Sequence, residues 1–281
     1  MAVKTATPTF QSFRGTIRAK GGIVRDFAVV PNRRVNCLSD RLELKWVAGA
    51  RGKPALNADI QNVAESVRMI ADPDFEVLGT NATTASVTYA AGGGVTLTTA
   101  GADGDAVILL PHLDTNQTGW TQFTWGTSKS VEWETEIATG ASIASTVIWA
   151  GLKLTQVGTV ATDDDQVYLR YQNGVTSGNW VVVSSIANTD TQTDTGIAVA
   201  ASTRYRIKIR IDSARKAYVY MSSGASPATG ADERVPTWTL LYTTAALTSV
   251  NLIPYIGVSA QGAAAAKALT VYGEAISKTI G

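Results

Sequence analysis

The feature that most constrains the fold of this chain is a strict alternation of apolar and polar side chains in short segments. The clearest one spans residues 204–212 and reads Arg-Tyr-Arg-Ile-Lys-Ile-Arg-Ile-Asp. Successive side chains of an extended strand point to opposite faces, so the tyrosine and three isoleucines share one face and the basic residues share the other. The segment therefore predicts a half-buried antiparallel strand with one face in water.

Similar segments recur from Phe75 to the C-terminus, with turn-forming clusters such as Gly92-Gly93-Gly94 and Asn173-Gly174 between them. They predict strands at residues 86–89, 95–98, 106–110, 130–138, 146–156, 166–172, 180–186, 205–212, 217–221, 237–242, 252–259 and 268–277. About a dozen strands without intervening helices favour an all-β fold with two packed antiparallel sheets.

The first part of the chain has a different pattern. Residues 1–22 are polar and basic without a period and predict an extended arm, and residues 23–44 alternate loosely as short strands do. One helix is predicted at about residues 57–71, with Asn57 as its N-cap, because its apolar residues recur at helical spacing. Asp72-Pro73 ends it. We therefore divide the chain into an attachment or oligomerisation region, residues 1–74, and a sandwich, residues 75–281.

Charge is spread unevenly between these regions. Residues 1–72 hold 12 Lys+Arg against 6 Asp+Glu, net +6, and the remainder holds 12 against 17, net −5. Such asymmetry predicts an arm that meets an acidic partner, although a solvated basic tail fits equally well. The candidate partner-binding residues are Arg14, Arg18, Lys20, Arg25, Arg33 and Arg34. Nucleic acid is not the expected partner, because no stacking platform accompanies these cations.

Composition argues against several kinds of site. The 281 residues include one cysteine and one histidine, Cys37 and His112, so an internal disulfide is excluded and a zinc site lacks its usual ligands. Asp163-Asp164-Asp165 lacks calcium-loop spacing and fits a solvated loop better. We expect no metal, cofactor or catalytic residue. We also expect no signal peptide and no membrane contact, since no apolar run is long enough to span a bilayer.

The order of the β segments resembles the concanavalin-like jelly roll of lectins and glucanases. The resemblance covers about residues 75–280 and rests on residues 131–137 (VEWETEI), 149–152 (WAGL), 205–209 with 218–220, and 253–258 with 269–272. It implies a two-sheet antiparallel jelly-roll sandwich. Lectins, hydrolases, adhesion modules and virion parts share this fold, so the fold does not select an activity.

The leader adds a second resemblance. A basic arm, a short helix and then residues 72–77 (DPDFEV) opening a Thr-, Ala- and Gly-rich sandwich are similar to structural proteins of tailed bacteriophages. This implies a non-enzymatic capsid decoration (cement) protein, made in the host cytoplasm and located in the virion. Its partners would be the major capsid protein or other virion proteins, and a homotrimer is favoured. The alternative is a fibre or tail module that binds a carbohydrate or receptor, with a host-surface glycan as ligand.

A third alternative is a glycoside hydrolase of the jelly-roll type. Alternation places Glu132, Glu134 and Glu136 on one strand face, and retaining glycosidases of this fold carry carboxylates at such spacing. The central residue here is Glu where that motif has Asp. Cross-strand pairing with the basic face of residues 204–210 explains the glutamates as well, and we favour it.

Tryptophans are the remaining candidates for contact with a glycan. Trp133 and Trp149 lie in apolar strand patterns and are expected in the core. Trp120, Trp125 and Trp180 flank loops, so we predict that these three are exposed and contact a glycan.

Overall fold

The computed structural model describes residues 29–30, 33–38, 41–47, 75–90, 94–111, 130–153, 164–222, 238–248, 252–262 and 265–279. The strands within them, in chain order, are β1 (Val29–Val30), β2 (Arg33–Leu38), β3 (Arg41–Val47), β4 (Phe75–Leu78), β5 (Val87–Tyr89), β6 (Val95–Thr98), β7 (Ala106–Pro111), β8 (Val131–Thr139), β9 (Thr146–Lys153), β10 (Asp165–Gln172), β11 (Asn179–Ile186), β12 (Thr189–Ala198), β13 (Arg204–Ile211), β14 (Lys216–Ser222), β15 (Thr239–Ala246), β16 (Ile253–Ala260) and β17 (Ala268–Thr279). A short 3₁₀ turn, Thr84–Ser86, precedes β5. The predicted helix at residues 57–71 lies outside the described residues. None of the helical structure in the described ranges is long and apolar enough to cross a membrane.

The strands form two antiparallel sheets. Sheet A has ten strands, in the order β1-β2-β3-β17-β8-β13-β14-β15, with β6 on the N-terminal part of β17 and β5 beyond β6. Sheet B has seven strands, in the order β12-β11-β10-β9-β16-β7-β4. The predicted all-β, two-sheet antiparallel sandwich is confirmed. The predicted strands from residue 86 onward end within four residues of the observed ends, whereas β4 and β12 were not predicted.

The main core lies between the two sheets. It is built by alternate residues that point inward, such as Ile207 and Ile209 of β13 and Val167 and Leu169 of β10. Trp133 belongs to this core and has no exposed surface, as its strand pattern predicted. The 30 buried apolar side chains of this core supply the main stabilisation of a domain of this size.

The outer face of sheet B carries a second buried cluster. Its members are Ile108, Val147, Trp149, Tyr168, Val181, Val183, Ile253 and Tyr255. Both faces of the central strands of sheet B are therefore buried, which explains why β9 has no exposed position along its whole length. Trp149 was expected to be buried, and it is, but on the outer face rather than between the sheets.

Strands from the N-terminal region extend sheet A. β3 pairs with Gly273–Thr279 of β17, β2 pairs with β3, and β1 pairs with β2. These strands fall where loose alternation predicted short strands. The division of the chain at residue 74 stays a prediction.

Candidate functional site

Three glutamates of β8 face three basic residues of β13 across the outer surface of sheet A. The register sets Glu136 opposite Arg206, Glu134 opposite Lys208 and Glu132 opposite Arg210. Inward residues of β8 are buried and the glutamates between them are partly exposed. The predicted face assignment and the predicted cross-strand pairing are therefore confirmed. We call this surface the ladder face.

Glu136 is bound by two arginines. Its Oε1 accepts a hydrogen bond from Nη1 of Arg204 at 3.0 Å, and its Oε2 accepts one from Nε of Arg206 at 3.1 Å. Nζ of Lys208 lies 3.8 Å from Oε1 of Glu134. Opposite charges beside each other on a sheet contribute modest stability, so the arrangement accounts for the glutamates without a catalytic role.

Aromatic rings lie beneath the same cations. The guanidinium of Arg204 is 3.9 Å from the ring centre of Tyr272, and that of Arg210 is 4.7 Å from the ring of Tyr218. Nζ of Lys208 lies over two rings, 4.5 Å from Trp238 and 5.3 Å from Tyr220. These distances are within the range of cation–π attraction. The ladder face is thus a surface in which the cations are already engaged by carboxylates or rings.

The outer face of sheet B has a different chemistry. Trp149 and Tyr255 stack with their ring centres 5.7 Å apart, and Tyr168 meets Tyr255 edge-on at 6.5 Å. Nζ of Lys153, a fully buried residue, lies 4.5 Å from the centre of the Tyr255 ring. Gly257 lies under Trp149, and a Cβ there would come within 2.3 Å of Cζ2 of the indole. The glycine is therefore required for the ring to lie flat on the strand.

Three hydrogen-bond donors on this outer face have no partner. They are Nε1 of Trp149, Nε of Arg170 and Oγ of Ser185. Arg170 lies directly opposite Trp149, and Ser185 lies opposite Gln166, which in turn lies opposite Lys153. Buried polar groups without partners are rare in folded proteins, and several on one face point to a ligand or to water. We call this set, with the three aromatic rings, the sheet-B face.

One buried acid lies inside the core. Nε1 of Trp133 donates a 3.2 Å hydrogen bond to Oε1 of Glu274, which is 3% exposed. Burial raises the pKa of Glu274 to about 8, although the hydrogen bond from Trp133 acts in the opposite direction. The carboxyl group is therefore mostly protonated at neutral pH. The sequence analysis did not identify this residue.

The predicted contact residues fall into three groups. Arg33 and Arg34 lie on β2, near the edge of sheet A formed by β1. Arg14, Arg18, Lys20, Arg25, Trp120 and Trp125 lie outside the described residues, as does His112. The prediction that Trp180 is exposed and contacts a glycan is wrong, because its indole has no exposed surface and packs edge-on against Tyr171 and Tyr205. It alternates with Val182 along β11, so it points into the core.

The described residues hold no group of three His, Cys, Asp or Glu side chains placed to bind a metal ion. Asp105 is an acid that accepts several hydrogen bonds at a turn. It accepts bonds from Nδ2 of Asn81 and from the backbone N–H groups of Gly101 and Ala102, and these bonds lower its pKa. They tie a turn before β7 to the segment before β5, which is a structural role.

Comparison with known proteins agrees with this fold. Residues 113–232 match the family model of the SO2946-like C-terminal domain. The whole chain is similar to SO2946 of Shewanella oneidensis MR-1, a protein of unknown function, at 12% identity with a TM-score of 0.53, over 94% of this chain and 96% of that one. No curated protein matches the chain.

Jelly-roll proteins are also among the similar structures. A peanut lectin bound to a nine-residue peptide aligns at 8% identity with a TM-score of 0.50, over 86% of this chain and 99% of the lectin. The family 7 alginate lyase A1-II′ aligns at 13% identity with a TM-score of 0.47, over 74% and 93%. At such identities the likeness to SO2946 and to the lectin shows the fold alone. The chain has a jelly-roll β-sandwich fold.

Proposed function

We propose that this chain is a non-enzymatic structural protein of a tailed-phage virion, in particular a capsid decoration protein. The N-terminal region attaches to the particle and the jelly-roll sandwich is displayed on its surface. The chain is made in the host cytoplasm, and its partners are the major capsid protein or other virion proteins. A trimer is the proposed assembly, because it suits positions between capsomers and closed symmetry dominates homo-oligomers.

The main support for a structural function, as opposed to hydrolysis, is the arrangement of charges on the ladder face. One of the two carboxylates that most resemble a glycosidase pair, Glu136, is bound to cations, since it accepts hydrogen bonds from both Arg204 and Arg206. A general acid needs a raised pKa at a site that substrate reaches. Within the described part of the chain, the carboxyl whose pKa is raised is that of Glu274, which lies in the core beside Trp133. Both facts favour a structural protein over a hydrolase.

The position of the basic N-terminal strands supports attachment through this region. β2 carries Arg33 and Arg34 and is the second strand from one end of sheet A, where these two residues pair with β1 and β3 joins β2 to β17. In the proposal, the cations of this N-terminal region meet an acidic partner.

Particles from cells that carry the gene provide the test. We expect mass spectrometry to find the chain in particles purified through a density gradient, and labelled antibody to decorate the heads in electron micrographs. Cryo-electron microscopy of the same particles would then give its symmetry and position. Gradient-purified particles that lack the chain would overturn the proposal.

A receptor-binding fibre or tail module is the second candidate. It is favoured by the unpartnered donors beside three aromatic rings on the sheet-B face, which is the composition of a ligand site. If the chain is a fibre or tail module, the labelled antibody against it should decorate the tails of the particles rather than the heads. Purified chain would also compete with particles for host cells and lower their adsorption.

A further inference from the structure

The outer face of sheet A has a pattern of charge that is complementary to itself. Six neighbouring strands have the order β3-β17-β8-β13-β14-β15, so three of them lie on each side of a line between β8 and β13. The outward residues of β8 are acidic and those of β13 are basic. We propose that this face packs against the same face of a second copy of the chain, about a two-fold axis parallel to the strands between β8 and β13.

The register of β8 and β13 sets which charges meet in such a pair. Rotation by 180° about this axis places β8 of one copy over β13 of the other and leaves each position along the strands unchanged. The glutamates then lie over cations of the second copy, as Glu132 over Arg210, Glu134 over Lys208 and Glu136 over Arg206. Opposite charges therefore meet at all three levels of the ladder, which is the complementarity that selects one binding geometry over others.

Residue size is complementary about the same axis, which places β17 of one copy over β14 of the other. At the levels of Glu132 and Glu134, β17 has the small residues Ser277 and Ala275, whereas β14 has Tyr218 and Tyr220. At the level of Glu136 the sizes are reversed, because Tyr272 is on β17 and Ser222 is on β14. Large residues of each copy thus lie over small residues of the other, as face-to-face packing of sheets requires.

Glu132 and Arg210 are the charges that pairing within one chain leaves available. They lie directly opposite each other, yet they are not among the ion pairs formed within the described part of the chain. Arg210 is exposed, and its guanidinium lies 4.7 Å from the ring centre of Tyr218. The hydroxyl of Tyr218 donates a 3.0 Å hydrogen bond to Asp212, which fixes the ring under the cation. The guanidinium is therefore positioned to donate to a carboxylate of the second copy.

The size of the face indicates the strength of the contact. Six strands at about 4.8 Å and five residues at about 3.3 Å cover roughly 29 Å by roughly 17 Å, or about 1,000 Å² over two copies. Leu240, which is 50% exposed, lies on the same face opposite Tyr220 and adds apolar surface. An area near the lower limit for specific interfaces predicts a reversible dimer with a dissociation constant between about 1 µM and about 1 mM. The contact is independent of the proposed virion function, because a two-fold axis can join two single chains or two trimers.

Charge reversal at Glu132 and Arg210 tests the inference. Arg210→Glu sets two carboxylates against each other across the axis, and Glu132→Arg sets two guanidinium groups against each other. Each unfavourable contact occurs twice in a two-fold dimer. In a mixture of the two variants, both contacts again join opposite charges. Asp190→Arg is the control, because it changes the net charge as Glu132→Arg does, at an exposed position of β12 in sheet B. The measurement is sedimentation equilibrium of the full-length chain.

We expect a monomer–dimer equilibrium for the wild-type chain that shifts toward monomer as salt is added. Arg210→Glu and Glu132→Arg, each alone, should weaken the dimer by about tenfold or more, because like charges then face each other at two contacts. An equimolar mixture of the two variants should dimerise within about threefold of wild type, and Asp190→Arg should change the dissociation constant by less than about twofold. Both changed positions lie on the outer face of the sheet, so each variant should keep the wild-type thermal transition.

Three results would overturn the inference. One is that the wild-type chain stays monomeric up to about 1 mM, the weak limit of the expected range. Another is that the mixture dimerises no better than the separate variants, which would place the contact elsewhere. The third is that Asp190→Arg weakens the dimer as much as Glu132→Arg does, which would make net charge the cause. None of these results bears on whether the chain is part of a virion, because particle composition is measured separately.

Discussion

Glu274 on β17 accepts a hydrogen bond from Nε1 of Trp133 on β8, with 3.2 Å between the two atoms, inside the core of the sandwich. Burial raises the pKa of this carboxyl from an ordinary 4.5 to about 8. The acid is neutral in the folded protein over a pH range in which the same group is ionised in the unfolded chain. Protein stability is therefore linked to pH through this one residue.

The first prediction concerns the pH dependence of stability. Between pH 4.5 and about 8 the unfolded chain releases the proton of Glu274 and the folded chain retains it, so the free energy of unfolding falls as pH rises. The upper limit of the loss is roughly 5 kcal/mol, at about 1.4 kcal/mol per pKa unit. Glu274→Gln should remove this part of the slope, which urea titrations at pH 4, 6 and 8 would measure. Equal slopes for wild type and variant would contradict the assignment.

The position of Glu274 shows where alternation fails as a guide to burial. Strict alternation from the buried Leu269 and Val271 would place Glu274 on the outer face with Thr270. The register shifts between Val271 and Gly273, which reverses the faces beyond that point and directs Glu274 inward. A glycine inside a strand is a known sign of such a bulge. In the sequence, Gly273 was therefore the residue that indicated a change of faces within this strand.

Other parts of the sandwich were predictable because alternation was regular. The pairing of the β8 glutamates with the β13 cations follows from two uninterrupted alternating segments. β12 was missed because its residues, Thr-Asp-Thr-Gln-Thr-Asp-Thr-Gly-Ile-Ala, offer almost no apolar face, and most of them are exposed. The unpaired donors of the sheet-B face were also beyond prediction, because they depend on which strands are neighbours.

The second prediction concerns the ladder face. Glu136→Gln should lower the free energy of unfolding by about 0.5–1 kcal/mol, because the carboxylate bonds to both Arg204 and Arg206. Glu132→Gln is the matched control on the same strand face and should change stability less. The difference in unfolding free energy between the two variants should shrink in 1 M salt, because exposed charges are then screened within about 3 Å. Equal losses from the two variants, measured by chemical denaturation, would show that the double ion pair is not the cause.

The same glutamates give a third prediction, about activity. We expect no turnover of β-glucans by the wild-type chain, and the double variant Glu132→Gln with Glu136→Gln should assemble into particles as wild type does. Reducing-sugar release and particle composition are the two measurements. Hydrolysis by wild type that disappears in the double variant would establish a glycosidase in place of the structural function.

The fourth prediction concerns β12, the last strand of sheet B within the described residues. β12 pairs with β11, and Asp190 and Asp194 lie at exposed positions along its ten residues. Charges on an edge strand discourage pairing with another molecule. Replacing both aspartates with Val should produce concentration-dependent association in analytical ultracentrifugation. Thr191→Val with Thr193→Val is the control, since it raises β-propensity on the same strand without removing charge. Association of both variants to the same extent would exclude a protective role for the charges.

The last prediction concerns the N-terminal region. Deleting residues 1–22 removes part of a segment that gives residues 1–72 a net charge of +6 against −5 in the remainder. The described strands, from β1 to β17, all lie outside residues 1–22, so the truncated protein should keep a cooperative thermal transition. If the arm attaches the protein to an acidic surface, the truncated protein should load less well than the full-length chain onto particles that lack it. Loading of the full-length chain should also fall as salt is added, because salt shortens the screening length. Truncated protein that occupies particles as well as full-length protein, at low and at high salt, would show that the arm is a solvated tail.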